Sequence, residues 1–257
     1  MEKNKIIEKI ISKKEFSSLP LKDVEIAFEK FNKEEYLDEE KVKLTRDLLR
    51  KMYTVFLSNK LLNFKDKESS WFLKKHFSTK ERLPFYSEIY SKIFEHLRGE
   101  VSVYDLGLGV NGFSSEFFPK KLKINYFGIE AVGQLVEIQK KFFKENKNFE
   151  FFHESLFNLN RIKEILKKGK GKKIVFLFKV LDSLEMLKRD YSKTFLDEIS
   201  SLADFFVVSF ATKSLISKKK FFVERKWFYG FLEKNFKVLE KFELGNEEYT
   251  IFSKKDL

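Results

Sequence analysis

The chain has 257 residues, including 32 Phe and no Cys, and carries a formal net charge of +12. This length fits one large domain or a small domain joined to a standard one, and the absence of Cys excludes disulfides, Cys-based zinc sites and thiol nucleophiles. The positive charge favours a polyanionic partner, nucleic acid or an anionic membrane, although a Lys-rich composition that solubilises a Phe-rich protein would give the same balance.

A metal site and a membrane-spanning segment have no support in the sequence. The three His residues, His76, His96 and His153, are far apart and lack metal-ligand spacing. No apolar run approaches about 20 residues, the length that crosses a bilayer, and the N-terminus lacks the apolar core of a signal peptide. We therefore expect a cytoplasmic protein that binds neither metal nor membrane.

Residues 1–98 are predicted to form an all-helical N-terminal domain. Apolar residues recur at helical spacing throughout this region, and its first glycine is Gly99, just beyond it. One amphipathic stretch without Gly or Pro runs from about Glu40 to Leu62. Lys and Arg are mixed with acids here, so most of them are expected on ordinary solvated faces.

The last helix of this region begins in the block His76-Phe-Ser-Thr-Lys-Glu-Arg-Leu83. Ser78 and Glu81 form an S-x-x-E capping box, which predicts a helix start near Thr79. Arg82 would then lie in the first helical turn, where a cation is unfavourable for the helix dipole. An Arg in that position is either directed at a carboxylate or an ordinary surface residue.

After Gly99, strand-like and helical segments alternate, which indicates a doubly wound, mostly parallel sheet. The predicted strands are Val101–Asp105, Ile124–Glu130, Phe149–His153, Ile174–Phe178, Phe205–Phe210, Phe236–Phe242 and Tyr249–Ser253. The predicted helices lie near Ser114–Phe118, Val132–Glu145, Leu159–Lys168, Tyr191–Leu202 and Phe222–Asn235. The short Gly245-Asn246 connection predicts a terminal hairpin. This α/β order is the outline of a class I S-adenosylmethionine (SAM)-dependent methyltransferase over residues 99–257.

A glycine turn follows the first predicted strand. Asp105 ends the strand, and Gly107, Gly109 and Gly112 follow with G-x-G-x-x-G spacing, which lets backbone N–H groups approach a nucleotide-like ligand. Glu130 ends the next strand, where an acid can accept hydrogen bonds from ribose hydroxyls. The pattern predicts an adenosine-type cofactor without separating SAM from NAD, and glycines that merely permit positive φ are the alternative.

Two basic segments lie in this second half. Residues 167–173 suit a solvated loop at least as well as a nucleic-acid surface. In the second segment, basic residues are interleaved with aromatic ones, a pattern that suits contact with phosphates and stacking on bases. The residues predicted to contact RNA there are Lys218, Lys219, Lys220, Arg225 and Trp227.

Four blocks occur in one order along the chain. They are His76–Leu83, Asp105-Leu-Gly-Leu-Gly-Val-Asn111, Leu177-Phe-Lys-Val-Leu-Asp-Ser-Leu-Glu185 and Val208-Ser-Phe-Ala-Thr-Lys-Ser-Leu215. Together they resemble the aminoglycoside-resistance methyltransferases that modify guanine N7 of small-subunit ribosomal RNA. The resemblance extends from about Phe77 to Lys255, whereas the N-terminal helices resemble that family's helical extension only in kind.

The resemblance implies SAM as the cofactor and a role for particular residues. Arg82 would hold the methionine carboxylate. Asp105, Gly107 and Gly109 would form the wall under the methionine and the ribose. Glu130 would bind the ribose hydroxyls, where the family usually has Asp.

The same resemblance implies residues at the adenine and around the bound cofactor. Glu154 and Ser155 stand where the family has an amide followed by Asp, so the carboxylate is displaced by one residue. Lys179 and Val180 follow the fourth strand and would face the cofactor. Lys213 stands where the family has Arg in a loop that approaches RNA, and Lys keeps the charge but loses the bidentate fork.

The implied substrate is a guanine in the decoding region of 16S rRNA, methylated within the 30S subunit by a monomer that docks through residues 1–98. Guanine N7 already presents a lone pair, so we expect no catalytic residue and no general base. The target base should be flipped out of its helix. Phe113, Phe210 and Trp227 are candidates to stack on it, with packing in the core as the alternative.

Three other functions remain open from the sequence. The chain could methylate another RNA or another base atom. It could be an RNA-binding protein without activity, which the departure at Glu154-Ser155 leaves possible. It could also be a NAD-dependent oxidoreductase, for which a sixth parallel strand would be expected instead of a closing hairpin.

Overall fold

The structure is a computed structural model that describes residues 2–54, 67–213 and 225–255. Its N-terminal part is helical: α1 (Lys3–Ile11), α2 (Leu21–Glu29) and α3 (Asp38–Leu49) pack against one another through their apolar faces. A π-helical turn, Arg50–Thr54, continues α3. Among the described residues, no helix is long and apolar enough to cross a membrane.

The next helices lead into the sheet. They are α4 (Ser69–Lys75), α5 (Phe77–Arg82), a 3₁₀ turn (Leu83–Phe85) and α6 (Tyr86–Ile93).

The capping-box prediction in this region is wrong. Helix α5 begins at Phe77, so Ser78 lies inside it, and the residue before the helix, His76, has no side-chain capping bond. The Thr79 hydroxyl donates 2.8 Å to the Leu73 carbonyl oxygen at the end of α4, which fastens the two helices together. Arg82 therefore lies in the last turn of α5, where a cation is favourable for the dipole.

Seven strands form one sheet, as predicted, and each lies within two residues of its predicted ends. Their order is β3-β2-β1-β4-β5-β7-β6, with β7 antiparallel to both its neighbours and the other pairs parallel. The strands are β1 (Glu100–Leu106), β2 (Lys123–Glu130), β3 (Phe149–His153), β4 (Lys172–Phe178), β5 (Phe205–Ala211), β6 (Phe236–Leu244) and β7 (Glu247–Lys254).

The predicted hairpin joins β6 to β7. Gly245 and Asn246 have φ of 61° and 60°, the positive values that a tight two-residue hairpin turn requires at both central positions. Chain order reverses between β1 and β4, which places a crevice at the carboxyl ends of these strands, where open α/β sheets bind ligands.

The remaining helices cover the sheet. They are a 3₁₀ segment (Asn111–Phe117), α7 (Gly133–Phe142), α8 (Leu159–Leu166), α9 (Leu181–Leu187), α10 (Tyr191–Ile199) with a 3₁₀ turn (Ser200–Leu202), and α11 (Lys226–Asn235). Helix α9 was not predicted, because seven residues are too few to display a helical period. The helix predicted near Ser114–Phe118 is the 3₁₀ segment.

Aromatic side chains fill the core, which accounts for much of the Phe content. The Phe72 ring stacks on Phe113 with centroids 4.0 Å apart, and Phe142 packs edge-on against both. Phe113 is 0% exposed and Phe210 is 1% exposed. Both are core residues, which is the alternative to base stacking that the sequence left open.

Candidate active site

A cavity of about 540 Å³ lies at the carboxyl ends of β1, β2 and β4. Its walls come from four parts of the chain: the N-terminal helices, the end of α5, the loops after these three strands, and the segment after β5. These parts are far apart in sequence and meet because the parallel strands end at one edge of the sheet.

The glycine turn forms one wall. Gly107 and Gly109 have φ of 72° and 54°, in the left-handed region that favours glycine. A Cβ on Gly107 would lie 2.7 Å from Val180 Cγ2, so a side chain there has no room. Gly112 does not have positive φ, and it is packed against the Gln139 side chain. The third glycine of the motif therefore serves packing and not the approach of a ligand.

Glu130 ends β2 and binds the glycine turn. Its Oε2 accepts a hydrogen bond from the Gly109 amide at 2.8 Å, and its Oε1 accepts one from the Val132 amide at 2.8 Å. Burial raises the pKa of Glu130, an effect that these backbone bonds oppose. A carboxylate has about four lone-pair sites, so acceptor capacity remains for ribose hydroxyls.

Asp105 is buried at the end of β1. Its Oδ2 accepts hydrogen bonds from Asn111 Nδ2 at 2.7 Å and from the Tyr126 hydroxyl at 2.6 Å. Its Oδ1 is buried without a hydrogen-bond partner among the described residues, and burial raises the pKa of the carboxyl. Because an unsatisfied buried acceptor is costly, this residue at the cavity wall suits a ligand that brings a donor.

A charge cluster at the cavity wall centres on Glu247, the first residue of β7, which two cavity-lining cations contact. Arg82 Nε lies 3.0 Å from Glu247 Oε2, and Lys179 Nζ lies 3.1 Å from the same oxygen. Burial would raise the pKa of Glu247, but the two cations hold it below its ordinary value. Lys179 Nζ also lies 3.1 Å from Glu81 Oε2, which is partly exposed. No motif in the sequence marks Glu247, so its place at the cavity was not predicted.

Arg82 is buried and held on several sides. Its Nη1 donates to Asn111 Oδ1 at 3.1 Å, and its guanidinium lies 5.0 Å from the centre of the Phe178 ring. The Tyr86 hydroxyl is a further neighbour of this cation, and the Arg82 side chain lines the cavity. Within the protein, the carboxylate that Arg82 contacts is Glu247.

His76 lines the same end of the cavity. Burial, together with the nearby Arg82 and Lys179 cations, lowers the pKa of His76 to about 3. The imidazole is therefore neutral at pH 7 and adds no positive charge to the cluster.

Lys179 and Val180 face the cavity after β4, as the resemblance implies. Lys179 has φ of 60°, and its amide donates 3.1 Å to the Ser209 carbonyl oxygen. A non-glycine residue in this region is strained by about 1–3 kcal/mol and persists only where its surroundings fix it. The fixed backbone directs the Lys179 amine towards Glu247.

Glu154 and Ser155 are not brought into the cavity lining. The Glu154 carboxylate accepts from the Ser155 amide at 2.9 Å and from Asn158 Nδ2 at 3.3 Å, so it is engaged at the start of α8. Ser155 is 1% exposed, and its hydroxyl oxygen accepts from the Phe157 amide. Asp23, from α2, lines the cavity instead, and the sequence analysis had no signal for it.

The predicted RNA-contacting residues fall into three groups. Lys213 and Arg225 line the cavity, and Arg225 pairs with Asp182 at 2.8 Å and lies 4.2 Å from the centre of the Phe210 ring. Trp227 is half-buried against Phe228. Three of the predicted residues lie outside the described residues, namely Lys218, Lys219 and Lys220.

Within residues 2–54, 67–213 and 225–255, no group of three or more His, Asp or Glu side chains could hold a metal ion.

The sheet order with an antiparallel β7, the glycine turn and the acid at the end of β2 define a class I SAM-dependent methyltransferase. The model of the family described as "Ribosomal RNA methyltransferase (FmrO)" matches residues 66–248. The chain belongs to this family and is a SAM-dependent rRNA methyltransferase. No curated protein sequence matches it significantly.

Solved structures share the fold. The 16S rRNA methylase RmtB is 20% identical with a TM-score of 0.75, and 98% of each chain is covered. The 16S rRNA methyltransferase RmtF, in complex with S-adenosylhomocysteine, is 17% identical with a TM-score of 0.77 over 99% of this chain and 100% of that one. An rRNA methylase from Escherichia coli is 20% identical with a TM-score of 0.73, and the match covers 98% of this chain and 99% of that one.

Proposed function

We propose that this protein methylates N7 of a guanine in the decoding region of 16S rRNA, using SAM and acting on the 30S subunit. The observation that carries the proposal is the Arg82–Lys179–Glu247 cluster, which borders a cavity beside the glycine turn. Membership in an rRNA methyltransferase family supports an RNA substrate. The named 16S rRNA specificity of RmtB and RmtF supports the small subunit.

The charges of the cavity suit the amino-acid end of SAM. Arg82 and Lys179 present two positive charges at the cavity wall. The partly exposed Glu81 can move away from Lys179 when the methionine carboxylate binds, which leaves the buried Glu247 as the one acid facing the two cations. The unpartnered Asp105 Oδ1 suits the ammonium group. Glu130 suits the ribose hydroxyls. Each binding role rests on a side chain that lines the cavity.

Methyl transfer to guanine N7 requires the protein mainly to position the two reactants. Bound SAM supplies an electrophilic methyl group on a sulfonium, and the lone pair of guanine N7 accepts it without loss of a proton. No residue must therefore act as a base, and the protein contributes by holding the base in line with the methyl group. Flipping the target base out of its helix costs a few kcal/mol. Lys213 and Arg225, which line the cavity, would offset this cost through contacts to phosphate or base.

Residues 1–98 would dock the protein on the subunit. A groove between α1 and α3 is lined by five basic and two acidic residues together with Val42. The basic residues are Lys9, Lys13, Lys43, Arg46 and Arg50. Their excess over the acids supports contact with rRNA phosphates. The enzyme would act as a cytoplasmic monomer.

The test is methylation of purified 30S subunits with SAM, followed by mass spectrometry and primer extension of the 16S rRNA. We expect one added methyl group on a guanine of the decoding region, at N7. Protein-free 16S rRNA and 50S subunits are the controls. Methylation of an adenine, of guanine N1 or of 50S RNA alone would overturn the proposal. A rise in melting temperature with NAD but not with SAM would overturn the assignment of SAM as the cofactor.

A further inference from the structure

An acidic residue of the N-terminal helices reaches the cofactor cavity. Asp23 lies on α2 with 2% exposure, and it lines the cavity together with Met52 and Tyr53. The Tyr53 hydroxyl donates a hydrogen bond to Asp23 Oδ1. Burial raises the pKa of Asp23, while Ser155 and Tyr53 favour its charged form. Oδ2 is buried, and no described residue donates a hydrogen bond to it at an ordinary distance and angle.

Asp23 belongs to the end of the cavity that is expected to hold the nucleoside. Asp23 and Glu130, the acid at the ribose position, line the same cavity, and the charge of Asp23 adds to the rise in the pKa of Glu130. The cavity wall beside them is apolar, formed by Val132, Leu135 and Leu156. Since Arg82 and Lys179 mark the methionine end, a nucleoside whose ribose lies on Glu130 would extend its base towards this apolar wall and Asp23.

The other candidate for recognising the base is engaged elsewhere. Glu154 already accepts hydrogen bonds from the Ser155 amide and from Asn158, and neither it nor Ser155 lines the cavity. Asp23 is thus the carboxylate available at that end. An ionised carboxylate only accepts hydrogen bonds. It therefore matches the exocyclic amino group of adenine and opposes a carbonyl oxygen at the same position.

We infer that Asp23 accepts a hydrogen bond from the N6 amino group of the cofactor's adenine, so that the N-terminal helical region supplies specificity for this base. The inference deepens the proposed function and rests on its use of SAM. It gives α2 a role in cofactor binding besides any role in docking on RNA. A carboxylate built to hydrogen-bond a ligand N–H rejects an analogue that lacks it, because its buried acceptor is then left unpaired.

The test compares S-adenosylhomocysteine with S-inosylhomocysteine, in which a carbonyl oxygen replaces the amino group. Calorimetry on the wild-type protein should give at least tenfold tighter binding of the adenosyl compound. In Asp23→Asn, whose amide can donate to the carbonyl, that ratio should fall at least tenfold. The matched control is Glu25→Gln, which makes the same chemical change on α2 at a residue outside the cavity lining and should keep the wild-type ratio.

A second measurement uses the wild-type protein alone, so that an unfolded Asp23→Asn variant does not end the test. At equal saturation, the adenosyl compound should slow hydrogen exchange over Leu21–Glu29 more than the inosyl compound does. Equal protection by both, an unchanged ratio in a folded Asp23→Asn, or a ratio lost in Glu154→Gln would each overturn the inference. None of these measurements uses RNA, so a failure to methylate 30S subunits is a separate result.

Discussion

Replacing Arg82 should affect stability and cofactor binding by separate amounts. Arg82→Ala leaves Glu247, which is 0% exposed, with Lys179 as its remaining buried cation. Breaking a buried ion pair by removing one partner costs about 3–5 kcal/mol. Because Lys179 still lies 3.1 Å from the carboxylate, we expect the lower end, about 3 kcal/mol. For a chain of this size, that loss lowers the melting temperature by about 6–12 °C.

A double variant separates the two effects. Arg82→Ala with Glu247→Gln removes the uncompensated negative charge, so most of the lost stability should return. The methionine carboxylate still lacks its Arg, so SAM binding should stay at least tenfold weaker than in the wild type. Urea unfolding reports the first quantity and calorimetry with SAM the second. Arg189→Ala is the matched control, since its side chain is 94% exposed, and it should change neither.

Either of two results would refute this reasoning. A single Arg82→Ala variant with wild-type stability would show that Glu247 is well solvated or needs one cation alone. A double variant that binds SAM as tightly as the wild type would show that Arg82 serves Glu247 and not the cofactor. In that case, Lys179 would be the residue that holds the methionine carboxylate.

Three further predictions concern the turn, an imidazole and the RNA-facing loop. Gly107→Ala should weaken SAM binding at least tenfold, because its Cβ would collide with Val180 at a positive φ. His76 is held neutral with a pKa of about 3, against 6.5 for the ordinary group, so the unfolded chain binds the extra proton between these values. The stability that the neutral ring contributes is therefore complete above pH 6.5 and declines as the pH falls towards 3. The free energy of unfolding should drop by about 2 kcal/mol from pH 7.5 to 5.0 in the wild type. The drop should be smaller in His76→Asn. Lys213→Glu should impair methylation of 30S subunits and leave SAM affinity intact.

Each of these three has a direct check. Calorimetry on Gly107→Ala should be accompanied by Gly230→Ala, since a Cβ on Gly230 meets nothing within 4 Å; equal affinities in both variants would contradict the steric argument. Urea unfolding of wild type and His76→Asn at both pH values tests the titration argument. It would be contradicted if the free energy of unfolding fell as much in the variant as in the wild type between pH 7.5 and 5.0. Full activity of Lys213→Glu on the subunit would remove Lys213 from the RNA interface.

Local sequence was sufficient for the sheet and the glycine turn. Strand β4 contains the continuous apolar run Ile174–Phe178, and the Gly245-Asn246 pair admits the positive φ of a tight hairpin. The strand ends predict the positions of Asp105 and Glu130, and the spacing predicts the turn at Gly107 and Gly109, whereas the place of Asp105 in the cofactor wall rests on the resemblance. The start of α5 did not follow, because the Thr79 hydroxyl bonds back to α4 and overrides the capping box.

By itself, then, the sequence determined the methyltransferase sheet, its closing hairpin and the residues at the ends of β1 and β2, since each depends on neighbours along the chain. Only the tertiary structure decided the partners across the cavity. Arg82 and Glu247 are separated by 165 positions, and Asp23 reaches the cavity from α2. Folding brings such side chains together through packing of distant elements, and no local period or spacing records that pairing.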